Sequence, residues 1–217
     1  MTDMRTDALD VAPRRNFFGR VAGVIALGFA GSAPALALAK SAPADGPNWP
    51  GKLQGRHRQV TDAYEVNSGF PLGFAYNFLA PNQSATAVVV LRHSAFPLAL
   101  NHAMWTKYKI GENLKVNDPE TKAPAVKNPY FEPKPGVLLI DDIAIDRLLA
   151  RHVVFGACNV ALQVLSKMMA GSAGVTPEEA AKEWAANIIP GITIIPSGVW
   201  GVNRAQEAGC SYCSGGG

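Results

Sequence analysis

An α/β fold is what the sequence predicts: a compact, mainly parallel sheet flanked by helices on both faces. Three observations point there. Thr86 to Arg92 (T-A-V-V-V-L-R) is a short β-branched run, the pattern of a strand buried on both faces. Two later segments each run from an apolar strand through a small-residue turn into a helix: Val153-Val154-Phe155 into 159–170, and Ile192 to Ile195 into 199–207. Between them helical and strand patterns alternate, as parallel sheets require.

The elements follow in order. Residues 40–52 are rich in Pro, Ala and Gly and read as a linker. Phe74 to Leu79 is a candidate first strand, and Thr86 to Arg92 a second. From Leu98 to Tyr108 the apolar residues fall at helical spacing, with Leu98, Met104, Trp105 and Tyr108 sharing part of one face. Residues 111–135 are polar and hold five prolines, so they read as an inserted loop, a lid or an oligomer contact. Ile140 to Arg151 reads as an amphipathic helix. Thr176-Pro177-Glu178-Glu179 is a helix start, with a capping residue, proline at the first position and acids in the first turn. That helix is expected to end near Asn187, before the Pro190-Gly191 turn.

The first 39 residues read as an address. Arg14-Arg15-Asn16-Phe17 is a twin-arginine motif, Val21 to Ala30 is moderately apolar, and Ala35-Leu36-Ala37 and Ala37-Leu38-Ala39 are overlapping cleavage sites. The apolar run falls below the ~20 residues of a spanning helix, so removal is favoured over a retained anchor. Nothing later reads as a membrane span. The expectation is export to the periplasm, where thiols tend to be oxidised, and a mature chain of about 178 to 180 residues. That length fits a single domain, residues 40–217, with the inserted loop at about 111–135 and a Gly-rich C-terminal tail.

Loss of the signal takes four arginines and three aspartates, so the formal charge falls from +3 to +2. Such a balance argues for neither nucleic acid nor an anionic membrane as partner, and no nucleic acid is expected. Lys52, Arg56, His57 and Arg58 form a local cluster that reads as a solvated face.

The chemistry centres on Cys158. At the carboxyl end of a strand and the amino end of a helix, free N–H groups and the helix dipole favour a thiolate and should lower the pKa. The competing reading is a small buried hydrophobe. The Pro196-Ser197-Gly198 turn lies at the same sheet edge, where amides near Ser197 and Gly198 would form an anion nest. Asn159 either hydrogen-bonds a sulfur species or caps the helix. His93 ends the early strand, as a base or ligand for the thiol or as a structural histidine. No H-E-x-x-H, zinc spacing, carboxylate cluster, G-x-S-x-G elbow or phosphate-binding glycine pattern is present, so neither a metal nor a cofactor is expected. Cys210-Ser211-Tyr212-Cys213 is a redox pair, a metal half-site or an exported disulfide. Pairing leaves Cys158 as the free thiol; a flexible tail would instead bring a resolving thiol to it.

Two blocks resemble the DsrE/DsrF-like sulfur-relay family: V-V-F-G-A-C-N-V-A-L at 153–162 and I-P-G-I-T-I-I-P-S-G-V-W-G-V-N-R-A-Q-E-A-G-C-S-Y at 189–212. The resemblance implies a compact α/β fold, trimers or hexamers, and a persulfide on Cys158 passed from a sulfur donor to an acceptor thiol. The export signal, the 111–135 loop and the cysteine tail depart from the family pattern. The competing function is a non-catalytic ligand- or metal-binding envelope module that uses Cys210 and Cys213. A third is an assembly component built on the 111–135 segment.

Overall fold

The computed structural model describes residues 48–51, 53–82 and 84–216; the expected signal peptide at 1–39 lies outside them. Five parallel strands, β1 (Arg58–Ala63), β2 (Thr86–Leu91), β3 (Val154–Cys158), β4 (Ile192–Ile195) and β5 (Ser211–Ser214), lie in the order β4-β3-β2-β1-β5. Every adjacent pair is parallel. The helices are α1 (Phe70–Leu79), α2 (His102–Lys107), α3 (Ile110–Leu114), α4 (Ile145–Ala150), α5 (Asn159–Ala173), α6 (Pro177–Ala186) and α7 (Gly198–Glu207). The expected α/β architecture is therefore present.

From β1 to β4 the chain steps one way across the sheet. Leu72 and Leu79 of α1, Leu148 of α4, Leu162 of α5 and Trp184 of α6 join one core with Val89, Leu91 and Phe155. The return from β4 to β5 spans the whole sheet and carries α7 across the other face. There Ala205 and Cys210 pack on Val60, Val88, Val90 and Ile195. A reversed direction of travel with right-handed crossovers requires this change of face.

Two strands escaped the sequence reading. β1 is polar in composition (R-Q-V-T-D-A), yet its last four residues are buried. Arg58, expected on a solvated face, is half-buried; its guanidinium donates to the Gly55 carbonyl and, at 3.0 Å, to the Ala208 carbonyl. The supposed Gly-rich tail contains β5, which pairs with β1 over Gln59 to Asp62. Phe74 to Leu79, expected as a strand, belongs to α1. Pro71 in the first turn and burial of Leu72, Ala75 and Leu79 at helical spacing explain the difference.

Other boundaries shifted for local reasons. The helix expected over 98–108 is a 3-10 segment, His93–Ala99, with Pro97 inside it, followed by α2. Asn101 separates the two by capping α2 at the Met104 N–H. Likewise 140–151 is a 3-10 turn, Asp141–Ile143, and then α4. Thr176 caps α6 in a reciprocal capping box with Glu179, as the sequence indicates. The 111–135 loop is not simply a cover. Ala125, Asn128 and Tyr130 are buried, and Asn128 donates at 2.9 Å to the carbonyls of Leu98 and Leu100.

The linker reading of 40–52 fails at Trp49. Its indole donates to the Phe155 carbonyl at 3.3 Å and joins the core under α7. A Cβ on Gly156 would lie 2.6 Å from the Trp49 ring, so the absent side chain is what admits the indole.

One polar cluster ties α2 to α6. Glu183 accepts from Lys107 Nζ at 2.7 Å and from the Tyr108 hydroxyl at 2.6 Å. The Lys107 and Tyr108 hydrogen bonds hold the Glu183 carboxyl below its ordinary value of 4.5, outweighing desolvation. A carboxyl depressed by folding contributes stability that is whole above the unfolded pKa and vanishes as pH falls through the folded one. Glu183→Gln is therefore expected to flatten the fall of stability below pH 4.5, measured by urea unfolding across that range. An unchanged acid limb would contradict the assignment.

Candidate functional site

Cys158 is the last residue of β3 and the N-cap of α5. Its Sγ accepts from the Ala161 N–H at 3.3 Å, so the sulfur occupies the position that a serine hydroxyl or carboxylate usually takes. The residue is 5% exposed. Asn159, considered above as the cap, is instead the first residue of the helix, and its amide oxygen faces Gln163 Nε2 at 3.5 Å.

The neighbouring strand completes the geometry. Cys158 is in register with Ile195, and two residues beyond lies Ser197, the N-cap of α7. Ser197 Oγ accepts from the Trp200 N–H at 3.2 Å. After β3 the chain passes to one face of the sheet, and after β4 it passes to the other. The carboxyl ends of β3 and β4 thus flank a topological switch point, where open α/β sheets leave a crevice. Two helix N-termini meet there, with Cys158 on one and Ser197 on the other.

Arg92, immediately after β2, supplies the charge at this edge. A Cβ on Gly198 would lie 2.5 Å from Arg92 Cβ and Cδ, so this glycine makes room for the arginine stem. Arg92 forms a bidentate pair with Asp62 at 2.6 and 2.8 Å and stacks over the Tyr64 ring at 5.2 Å. Asp62 is 4% exposed and also accepts from the Tyr212 hydroxyl at 3.2 Å. The Asp62 hydrogen bond raises the Arg92 pKa, against desolvation, with further support from the Asp62, Tyr212 and Cys158 charges. The guanidinium is thus held in an ion pair with Asp62 at the end of β2, whose last residue Leu91 is in register with Ala157, the neighbour of Cys158.

Among the other candidates, His93 lies at this edge but is exposed, in a left-handed conformation (φ 48°), and its imidazole makes no hydrogen bond among the described residues. Cys210 and Cys213 are both free, as is Cys158. Cys210 packs in the core under α7, where burial pushes its pKa up to about 11 against the opposing Arg58 charge. Cys213 is in register with Thr61, whereas Tyr212 shares the α7 side with Val60 and Asp62; Cys213 therefore points to the other face. The two cysteines form neither a disulfide nor a common ligand pair. β5, which holds Cys213 and begins just after Cys210, lies three strand spacings from β3, roughly 14 Å, so within one chain both stand apart from Cys158. Among the described residues no group of three or more His, Cys, Asp or Glu is arranged to hold a metal.

Sequence reasoning missed Asp62, Arg92, Tyr64 and Tyr212. Arg92 was the accessible signal, an arginine ending a run of six buried residues. No family model matches the chain, and no curated protein matches it significantly.

Proposed function

We propose that the protein is an exported, DsrE/DsrF-like sulfur carrier that holds sulfane sulfur as a persulfide on Cys158. The observation behind this reading is Cys158 Sγ at the N-terminus of α5, bonded to a backbone N–H at the switch point beside Arg92. In the first step the Cys158 thiolate attacks the terminal sulfur of a donor persulfide. A sulfur–sulfur bond forms on Cys158, the donor's sulfur–sulfur bond breaks, and the donor leaves as a thiolate. An acceptor thiolate then attacks the terminal sulfur of the Cys158 persulfide, which regenerates the Cys158 thiolate. Neither step needs an external oxidant or reductant. Arg92 and the two helix N-termini stabilise the anions at both stages.

The test is to load the reduced protein with a low-molecular-weight persulfide and map the peptides. One added sulfur on the Cys158 peptide, removable by an acceptor thiol, is the expected result. Modification confined to Cys210 or Cys213 would contradict the proposal.

Assembly into a homo-oligomer belongs to the same reading. Val160, Val164 and Met168 leave an exposed apolar stripe at i, i+4 and i+8 along α5, beginning beside the Cys158 turn. Val164→Lys with Met168→Lys is expected to reduce the mass in solution to that of one chain, measured by light scattering. A wild-type chain that is already monomeric would contradict the assembly. Cell fractionation tests export, with the protein in the periplasmic fraction as the expected result and retention in the cytoplasm as the contrary one.

A further inference from the structure

A second site lies on the same edge of the sheet, away from Cys158. Beyond the ends of β1 and β2 is a cavity of about 430 Å³, within the range of small-molecule sites. Glu65, Asn67 and Ser68 line one side, and Lys115, Asn117 and Tyr130 line the other. None of these six side chains makes a hydrogen bond or ion pair among the described residues. Elsewhere the chain uses such groups internally: Asn82, Asn101, Asn128 and Asn187 each bond to a partner within it. Tyr130 is the most telling. It is 4% exposed, its ring packs on Gly69, and its hydroxyl has no partner in the chain. Burial pushes that hydroxyl's pKa up to about 12, so it remains a donor.

The cavity adjoins a second one of about 520 Å³, which shares Ser68, Asn117 and Tyr130. That chamber adds Val137, Leu138 and Ile143, the fully exposed Leu139, and the charged Asp118 and Lys122. One chamber therefore offers a carboxylate, an ammonium, amides and hydroxyls, and the next offers apolar surface from Val137, Leu138 and Ile143 beside one charge of each sign. The loop that includes residues 111–135, read from sequence as a lid or an oligomer contact, supplies half of the charged chamber.

We propose that these joined cavities bind a small zwitterion with an apolar side chain, of the amino-acid class. Glu65 meets its ammonium, Lys115 and the Tyr130 hydroxyl meet its carboxylate, and the side chain lies against Val137, Leu138 and Ile143. The site is independent of the sulfur chemistry on Cys158.

The probe is L-phenylalanine, titrated into the full chain and read by amide chemical shifts. Shifts at residues 65–68, 115–117 and 137–139 are expected. N-acetyl-phenylalanine and phenylalaninamide should each bind about fivefold more weakly, as expected for loss of one partly exposed charge pair. Glycine should bind weakest, because it leaves the apolar surface uncovered. In Lys115→Met the penalty for blocking the carboxylate should disappear, and in Glu65→Gln the penalty for blocking the ammonium, since each cycle isolates one pair. Both residues are exposed, so folding is preserved. Absence of shifts at these residues, or affinity indifferent to the blocked ends and to both variants, would overturn the proposal.

Discussion

Trp49→Ala is expected to destabilise the domain by about 3–5 kcal/mol, the usual cost of removing a buried aromatic ring. Trp49 lies outside every strand and helix, yet its ring fills the space left by two glycines. A Cβ on Gly156 would stand 2.6 Å from it, and one on Gly201 would stand 3.2 Å from it. Trp200 packs beside it, with ring centroids 6.3 Å apart. Trp49 is the one buried aromatic ring of that cluster among the described residues, with the partly buried Trp200 packed against it, so truncation leaves a cavity between α7 and β3. The Phe155 carbonyl loses its indole donor as well. Urea denaturation measures the loss. A change under about 1 kcal/mol would mean that the segment before β1 is a linker after all. Gly156 is two residues before Cys158 on the same strand, so the contact also helps to fix the strand end that carries the sulfur.

Cys158→Ser is expected to abolish sulfur loading while leaving stability nearly unchanged. The two effects separate because Cys158 caps α5 and, in the proposed function, also carries the sulfur. As the N-cap of α5 its side chain accepts the Ala161 N–H. Serine is among the preferred residues at that position and keeps the acceptor, but a hydroxyl does not form a persulfide. Cys158→Ala removes both roles and should in addition cost about 1 kcal/mol. Loading by donor persulfide, read by mass, and unfolding by denaturant together check both statements. Undiminished loading of the serine variant would place the sulfur on another residue.

The centre of the sheet was legible from the sequence and its flank was not. β2 reads as a buried strand because six consecutive residues are small, β-branched or apolar, and all six are buried. β4 was found with its observed limits for a related reason, an apolar run closed by Pro190-Gly191 and Pro196. β1 was missed because burial there is achieved by polar residues whose partners are remote in sequence: Asp62 meets Arg92, and Arg58 meets Ala208. Nothing local marks such a strand. β5 was missed because serine, cysteine and glycine resemble a tail, and its place depends on pairing with β1. The site follows the same division. Cys158 and Ser197 were visible as strand-to-helix turns. The ion pair beside them joins the ends of two strands, one of them unrecognised. The resolving role considered for Cys210 and Cys213 rested on a flexible tail, whereas the segment pairs as β5 with β1, three strands from β3.

The proposed function rests on sulfane sulfur at Cys158. Its most direct test is the intact mass of the protein, purified without reductant from cells expressing the full chain, before and after reduction and on Cys158→Ser. The expected result is a gain of about 32 Da that maps to Cys158, is removed by reductant and is absent from the variant. An unmodified Cys158 thiol that also resists donor persulfide would contradict it.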